Sequence, residues 1–313
     1  MLGQGDAVAD YIVDTMVGHG SSADVYRAHR TGDATPVALK VLYTHGADAA
    51  RARERFEREY SIASLLHHPH VASMYASGEI AESADPASTE RDPDGRRRPH
   101  TLWLAMQYAA GPSAVSLIPG ENRQPRVPMV LRLAQQIGEA LDYAHSCDVL
   151  HRDVKPANIL LTSDSDDAGM LLSDFGIAQL LDDTRPLARN GRVQGSIAYA
   201  SPELLQAQQL SPASDIYSFA CSLVELFTGL PPFPRSTAFA ITYAHLRDTP
   251  PRLTRRRQWL PSSLDSVFAK ALAKKPEDRY QHCAEFVDIV IRTLRDVPVP
   301  EERPSRTGWF RGR

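Results

Sequence analysis

The sequence predicts an α+β chain in which a small antiparallel sheet precedes a larger, mainly helical part. Three observations carry this expectation. Strand-like segments joined by glycine turns and a loop fill residues 11–42, helical periodicity dominates after Gly111, and the pattern changes over near residues 109–111. No internal repeat interrupts that order.

Tyr11-Ile12-Val13, the turn Gly18-His19-Gly20, Val25-Tyr26 and the run Val37-Ala38-Leu39-Lys40-Val41-Leu42 read as strand, turn, strand and strand. Over residues 49–66 the spacing becomes helical, with Phe56, Tyr60, Ala63 and Leu66 on one stripe, Glu59 beside it and Pro69 ending it. Further strands are predicted at 71–75 and 102–108. Between them, residues 83–100 form a polar insertion containing Arg96-Arg97-Arg98, expected as a surface loop. Residues 129–146 form the clearest helix, with Val130, Leu133, Ile137, Leu141 and Ala144 repeating near every 3.6 residues. Later helices are expected at 215–228, 237–246, 263–273 and 283–295.

A chain of 313 residues with 42% hydrophobic content can bury a sizeable core unaided. Its net charge of -3, from 35 basic and 38 acidic side chains, gives no electrostatic reason to expect nucleic acid as a partner. Arg255-Arg256-Arg257 reads as a solvated face for the same reason. Cys147, Cys221 and Cys283 suit neither a disulfide framework nor a zinc site; we expect all three buried as small hydrophobes in a reducing, cytoplasmic compartment. His67-His68-Pro69-His70 reads as a structural turn, since no other Cys/His cluster lies near in sequence. No segment is apolar enough for a membrane span or a signal peptide. The Pro- and Arg-rich stretch 298–313 suits either a disordered tail or a membrane-proximal linker, and its lack of an apolar run favours the tail.

Several side chains stand out as chemistry. Glycines at 18 and 20 let a turn bring backbone N–H groups close to a polyphosphate, although such turns are commonly structural. Lys40 sits within an apolar strand, where its charge is costly unless an anion pairs with it; Glu59 is a candidate. His151-Arg152-Asp153-Val154-Lys155-Pro156-Ala157-Asn158 is expected as a loop between a helix and the strand Ile159-Leu160-Leu161. Asp174-Phe175-Gly176 follows the strand Met170-Leu171-Leu172. Acids on the ends of adjacent strands can converge, and Asn158 and Asp174 offer the oxygen ligands that suit Mg²⁺.

These motifs resemble the protein kinase superfamily, over nearly all of residues 8–295, in the style of the bacterial, Hanks-type serine/threonine kinases of actinobacteria. The resemblance implies a two-lobed fold: an ATP-binding N-lobe at 1–109, a catalytic and substrate-binding C-lobe at 110–296, and a tail at 297–313. By resemblance Gly18, His19 and Gly20 cover the phosphates, and Val25, Ala38 and Leu160 line the adenine site. Lys40, paired with Glu59, holds the α/β-phosphates, while Met106, Gln107 and Ala109 form the hinge. Asp153 is then the catalytic base, Lys155 the neutraliser of the transferring group that marks Ser/Thr specificity, and Asn158 and Asp174 the ligands of Mg²⁺, or Mn²⁺ in its place. Glu203, of Ser201-Pro202-Glu203, resembles the ion-pair partner of Arg279, and Asp215 a helix-start acid that anchors the catalytic loop. Partners implied are ATP, protein substrates and a second kinase copy for autophosphorylation. Many relatives of this style continue into a transmembrane helix and an external sensor.

Some positions depart from the pattern. Ala23 replaces the third glycine of the phosphate loop, and Ser196 stands where threonine is usual. Ala63 replaces a bulky residue expected to stack with Met74, Phe175 and His151, which predicts a less firmly held active state. Thr184, the one threonine between Asp174 and Glu203, is either a phosphorylation site that pairs with Arg152 or a plain loop residue; Ser196 is a second candidate site. A scaffold without activity normally lacks one catalytic group, whereas Lys40, Glu59, Asp153, Asn158 and Asp174 are all present. Small-molecule phosphotransferases of the same fold lack the Lys155 signature and the Ser-Pro-Glu segment with its arginine.

Overall fold

A computed structural model describes residues 2–19, 23–44, 56–57, 60–61, 63–80, 100–121, 123–175, 188–189, 192–193 and 195–300. Gly20, Glu59, Thr184, the insertion over 83–99 and the tail from 301 lie outside the described residues. The chain packs as two compact units, Met1–Ser113 with Glu139–Leu187, and Ala114–Gly138 with Ala188–Arg313.

The first unit is built on a six-stranded antiparallel sheet of spatial order β1-β2-β3-β4-β6-β5. Its strands are β1 (Ala7–Val8), β2 (Tyr11–His19), β3 (Ala23–Arg30), β4 (Pro36–Thr44), β5 (Met74–Ile80) and β6 (His100–Gln107). β4 is apolar on both faces because it is buried on both. Val37, Leu39 and Val41 join Val8, Tyr11, Val13, Tyr26, Ala28, Trp103 and Ala105 in one cluster. Ala38 and Leu42 join Phe56, Leu102, Leu104 and Met106 in another. Since strand side chains alternate, Lys40 falls on the face of Ala38 and Leu42. It is paired across β6 with Leu104 and only 7% exposed.

Phe56, Ala63 and Leu66 are buried, as the helical stripe requires, and Phe56, Glu57, Tyr60, Ser61 and Ala63 are helical. The strand expected at 71–75 is displaced. Val71 instead makes a parallel bridge to Leu172, with Ala72 N–H donating to Leu172 O at 2.9 Å and Leu172 N–H donating to His70 O at 2.8 Å. These bonds engage 70–72, and β5 starts beyond them. The histidine turn has structural roles: His68 stacks on Tyr143 and His70 Nδ1 lies 3.1 Å from Met170 O.

β7 (Ile159–Leu161) and β8 (Met170–Leu172) form a separate hairpin. Gly111 is required where the chain meets β7. Its N–H donates to Leu161 O at 3.0 Å, and a Cβ there would lie 2.5 Å from Ser163 O. The long helix is α1 (Val127–Ser146), whose residues divide between the two units. Cys147 follows it and is exposed, which corrects the expectation of three buried cysteines. It lies in a turn beyond the helix's periodic face, next to Asp148 at φ 59°.

The second unit contains α2 (Pro202–Leu205), α3 (Pro212–Thr228), α4 (Ala238–Arg247), α5 (Leu253–Arg256), α6 (Ser262–Ala271) and α7 (Cys283–Leu294). α3, α4, α6 and α7 lie within a few residues of their expected spans, while the short α2 and α5 were not expected. α3 is apolar nearly all round and buried accordingly. Ser211 and Ser214 form a capping box at its start, and Gly229, at φ 87°, ends it in the left-handed conformation that favours glycine. Phe268 meets Phe227 at 6.4 Å and Phe286 at 5.4 Å, edge to face, joining α3, α6 and α7.

Arg279 crosslinks this unit. Its side chain is 0% exposed, and Nη1 and Nη2 donate to Glu203 Oε1 and Oε2 at 2.7 and 2.8 Å. The remaining donors reach Ala273 O, Ala213 O and Lys274 O at 2.7, 2.8 and 3.0 Å, so all the guanidinium's N–H groups are used. Burial pushes the Glu203 carboxyl up, and the Arg279 guanidinium more than reverses this, holding it below the usual 4.5. A carboxylate lowered in this way contributes stability that is complete above the unfolded value and is lost as pH falls through the folded one. Arg279→Ala should therefore cost about 3–5 kcal/mol in denaturant unfolding at neutral pH. The wild type's advantage over Glu203→Gln should shrink as the measurement moves below the ordinary carboxylate range.

Candidate active site

The candidate catalytic residues Lys40, Asp153, Lys155, Asn158 and Asp174 lie within the first unit. β4 brings Lys40, whose Nζ donates to Asp174 Oδ1 at 2.5 Å. Asp174 reaches that position because β8, tied to residues 70–72 and to β7, ends two residues before it. It adopts φ 63°, in the left-handed region a side chain rarely occupies, as does Arg152 at φ 67°. Such conformations cost about 1–3 kcal/mol each and persist where surrounding bonds hold them. Burial pushes the Asp174 carboxyl up, but the ammonium of Lys40, aided by that of Lys155, outweighs it and leaves the group below its usual value. Asp174 is thus an anion throughout the neutral range.

The loop before β7 supplies the other members. His151 is fully buried; its Nδ1 accepts from Asp153 N–H at 3.2 Å, so its Nε2–H donates to Ser173 O, at 2.9 Å. The ring packs on Phe175 at 4.6 Å. Asp153 Oδ2 accepts from Lys155 Nζ at 2.6 Å and from Asn158 Nδ2 at 3.0 Å, and Asn158 Nδ2 also donates to Asp153 O at 2.8 Å. Asn158 O in turn accepts from Ser173 N–H and Oγ–H at 2.9 and 3.1 Å. The loop and the residues following β8 are therefore one hydrogen-bonded body.

A cavity of about 720 Å³ opens beside them. Gly18, His19, Val25, Ala38, Lys40, Met106, Ala109, Leu160 and Asp174, all expected at a nucleotide site, line it. Volume, apolar walls and one charged end suit a nucleotide. Gln107 is not among the lining residues; its N–H donates to Ser73 O at 2.8 Å. Sequence reasoning missed Val17, Tyr108, Ser113, Ala157 and Ser173 as lining residues. It also missed Asp24, whose signal was an acid alternating in step with the buried Tyr26 and Ala28.

The residues fit a divalent cation. With Asn158 Nδ2 committed to Asp153, the amide oxygen is the atom left to ligate, and the ionised Asp174 supplies a second oxygen.

A protein kinase domain model matches residues 11–289. The chain belongs to the protein kinase domain family. Serine/threonine-protein kinase PknF of Mycobacterium tuberculosis is 37% identical over 305 residues, which are 96% of this chain and 60% of that protein. PknB of Mycobacterium leprae is 32% identical over 291 residues, 92% of this chain and 43% of that one. The chain thus spans roughly 40–60% of these curated relatives' length. The crystal structure of the Mycobacterium tuberculosis PknI kinase domain matches with TM-score 0.68 and 32% identity, covering 94% of this chain and 100% of that one.

In this kinase domain Glu203 and Arg279 pair as expected, and Asp215 is 1% exposed in the first turn of α3. The backbone at Ser196 is in a 3-10 turn, while its side chain, like Glu59 and Thr184, lies outside the described residues. Among the described residues no helix is long and apolar enough to cross a membrane. If Lys40 and Asp174 neutralise each other as the 2.5 Å contact indicates, a double-mutant cycle with Lys40→Met and Asp174→Asn should give a coupling of about 1–3 kcal/mol in unfolding free energy.

Proposed function

We propose that the chain is an active serine/threonine protein kinase that transfers the γ-phosphoryl group of ATP to protein hydroxyls. The observation that carries this reading is the Asp153 carboxylate: it is held by Lys155 and Asn158 through one oxygen, Oδ2. Among the described residues, Oδ1 is left to accept the hydrogen bond, and then the proton, of a serine or threonine hydroxyl.

The hydroxyl oxygen forms a bond to the γ-phosphorus as the bond to the β-phosphate oxygen breaks, ADP leaves, and the hydroxyl proton passes to Asp153. Lys155, beside that carboxylate, neutralises charge on the transferring group, and Lys40 holds the α/β-phosphates, with Glu59 as its further partner. Mg²⁺ or Mn²⁺, bound through Asn158 and Asp174, would supply charge neutralisation between the phosphates. Gln107 and Ala109 bind adenine through their backbone, Met106 closes the back of its pocket, and Val25, Ala38 and Leu160 pack its faces. Gly18, His19 and Gly20 cover the phosphates.

The names of the mycobacterial relatives support the substrate class. We further propose that two copies meet transiently and phosphorylate Thr184 or Ser196 in signalling, that Ala63 leaves the active state in need of such help, and that the domain works in the cytoplasm. The exposed, unpaired Cys147 thiol supports a reducing compartment. The N-lobe at 1–109, C-lobe at 110–296 and tail at 297–313 remain the proposed organisation.

Asp153→Asn should lower phosphoryl transfer to a protein acceptor by about 10²–10⁴-fold, the range of a lost general base. Binding of the magnesium nucleotide should be retained. Equal transfer rates for wild type and variant would refute the role of Asp153.

A further inference from the structure

The β2–β3 hairpin buries an acid that the transfer chemistry leaves unused. Asp24 is 1% exposed, on the face of β3 that carries Tyr26 and Ala28, and it is paired with Val41 of β4. Its neighbour Val25 faces the other way, paired with Lys40, and lines the nucleotide cavity with Gly18. A buried carboxylate needs hydrogen-bonded partners. The Tyr26 hydroxyl donates to Asp24 Oδ2 at 3.3 Å and itself accepts from Leu2 N–H at 3.0 Å. Asp24 Oδ1 lies 2.6 Å from Nδ1 of His19, its direct partner in the β2–β3 ladder. Since a carboxylate only accepts, Nδ1–H is the donor.

The place of this staple in the hairpin gives it a consequence for the nucleotide. His19 and Asp24 are the terminal pair of the ladder among the described residues, and the pair beside them, Gly18 and Val25, lines the cavity. β2 is irregular as it approaches that end. Its register against β3 shifts between Val13 and Thr15 and again between Met16 and Gly18, and such shifts bend a strand and interrupt its ladder. The Asp24 carboxylate offsets this from the face away from Lys40. It holds His19 through one oxygen, and through the other it is tied by Tyr26 to the N-terminal segment, where Leu2 packs on the same apolar cluster.

We infer that Asp24 is a positioning residue for phosphoryl transfer: from behind the nucleotide site it fixes the end of β2 to β3 and so sets where Gly18 meets the phosphates. It touches neither substrate. The inference rests on the kinase reading and adds to it a role for the buried face of the hairpin.

The test is steady-state phosphoryl transfer to a protein acceptor by the full chain, with magnesium-ATP and acceptor varied separately. The variants are His19→Ala, His19→Asn, Asp24→Ala, the double variant of His19→Ala with Asp24→Ala, and His29→Ala. His29 makes a like bond to Asp14, Nδ1 to Oδ1 at 2.7 Å, farther along the same two strands, and serves as the control. His19→Ala should raise KM for ATP about fivefold, the size of one net hydrogen bond, and leave KM for the acceptor unchanged. His19→Asn, whose amide can donate to the same oxygen, should restore most of the loss, and His29→Ala should keep the wild-type KM. Asp24→Ala should raise KM for ATP at least as far, and the double variant no further, because the bond is already gone. Multiplying effects in the double variant would mean that His19 acts on the nucleotide independently of Asp24, which overturns the inference. Equal KM values for wild type and His19→Ala, or an equal rise for His29→Ala, overturn it too. Should Asp24→Ala fail to fold, the exposed His19 decides: rescue by asparagine supports the staple, and no rescue overturns it. Absence of transfer by the wild type overturns the kinase reading instead.

Discussion

A cation inside an apolar strand is the constraint on which the site depends. β4 is clothed on both faces by aliphatic and aromatic side chains, and Lys40 is planted among them at 7% exposure. An ammonium there is tolerable only with an anion at contact distance. Asp174 meets the need from more than a hundred residues away in sequence, at 2.5 Å. To bring it there the chain forms β8, ties it to 70–72 and β7, and bends Asp174 into a left-handed conformation. The same bonds lock the loop carrying Asp153 and Asn158 to the residues around Asp174. Meeting one electrostatic requirement thus assembles the catalytic set.

The second unit contains a buried ion pair of different character. Arg279 has all its donors engaged, and Glu203 receives two of them. Nothing in that arrangement is left over for a ligand. At Lys40 and Asp174, by contrast, a cavity adjoins the pair, and a three-donor ammonium and a two-oxygen carboxylate keep capacity for phosphate and cation. Satisfied capacity marks structure, and spare capacity beside a cavity marks chemistry.

Much of this was legible in the sequence because the decisive residues are local. His151 to Asn158 directly precede one short apolar strand and Asp174 closely follows another, and the alternation through 37–42 places Lys40 unambiguously. What was not legible depended on distant partners. Val71 reads as part of a strand but is drawn to Leu172. Cys147 has the composition of a buried residue and falls just past the helix face that would bury it. Asp24 looks like an ordinary surface acid until β2 and the N-terminal segment close over it. The Lys40–Asp174 contact itself was not anticipated, since Glu59, much nearer in sequence, was the acid expected to pair with Lys40.

The most direct test of the account is transfer of labelled γ-phosphate from magnesium-ATP to a protein acceptor, followed by phosphoamino-acid analysis, for wild type and Lys40→Met. The account predicts label on serine or threonine with the wild type and none above background with the variant. Label on neither residue with the wild type, or equal labelling by the two proteins, would contradict it.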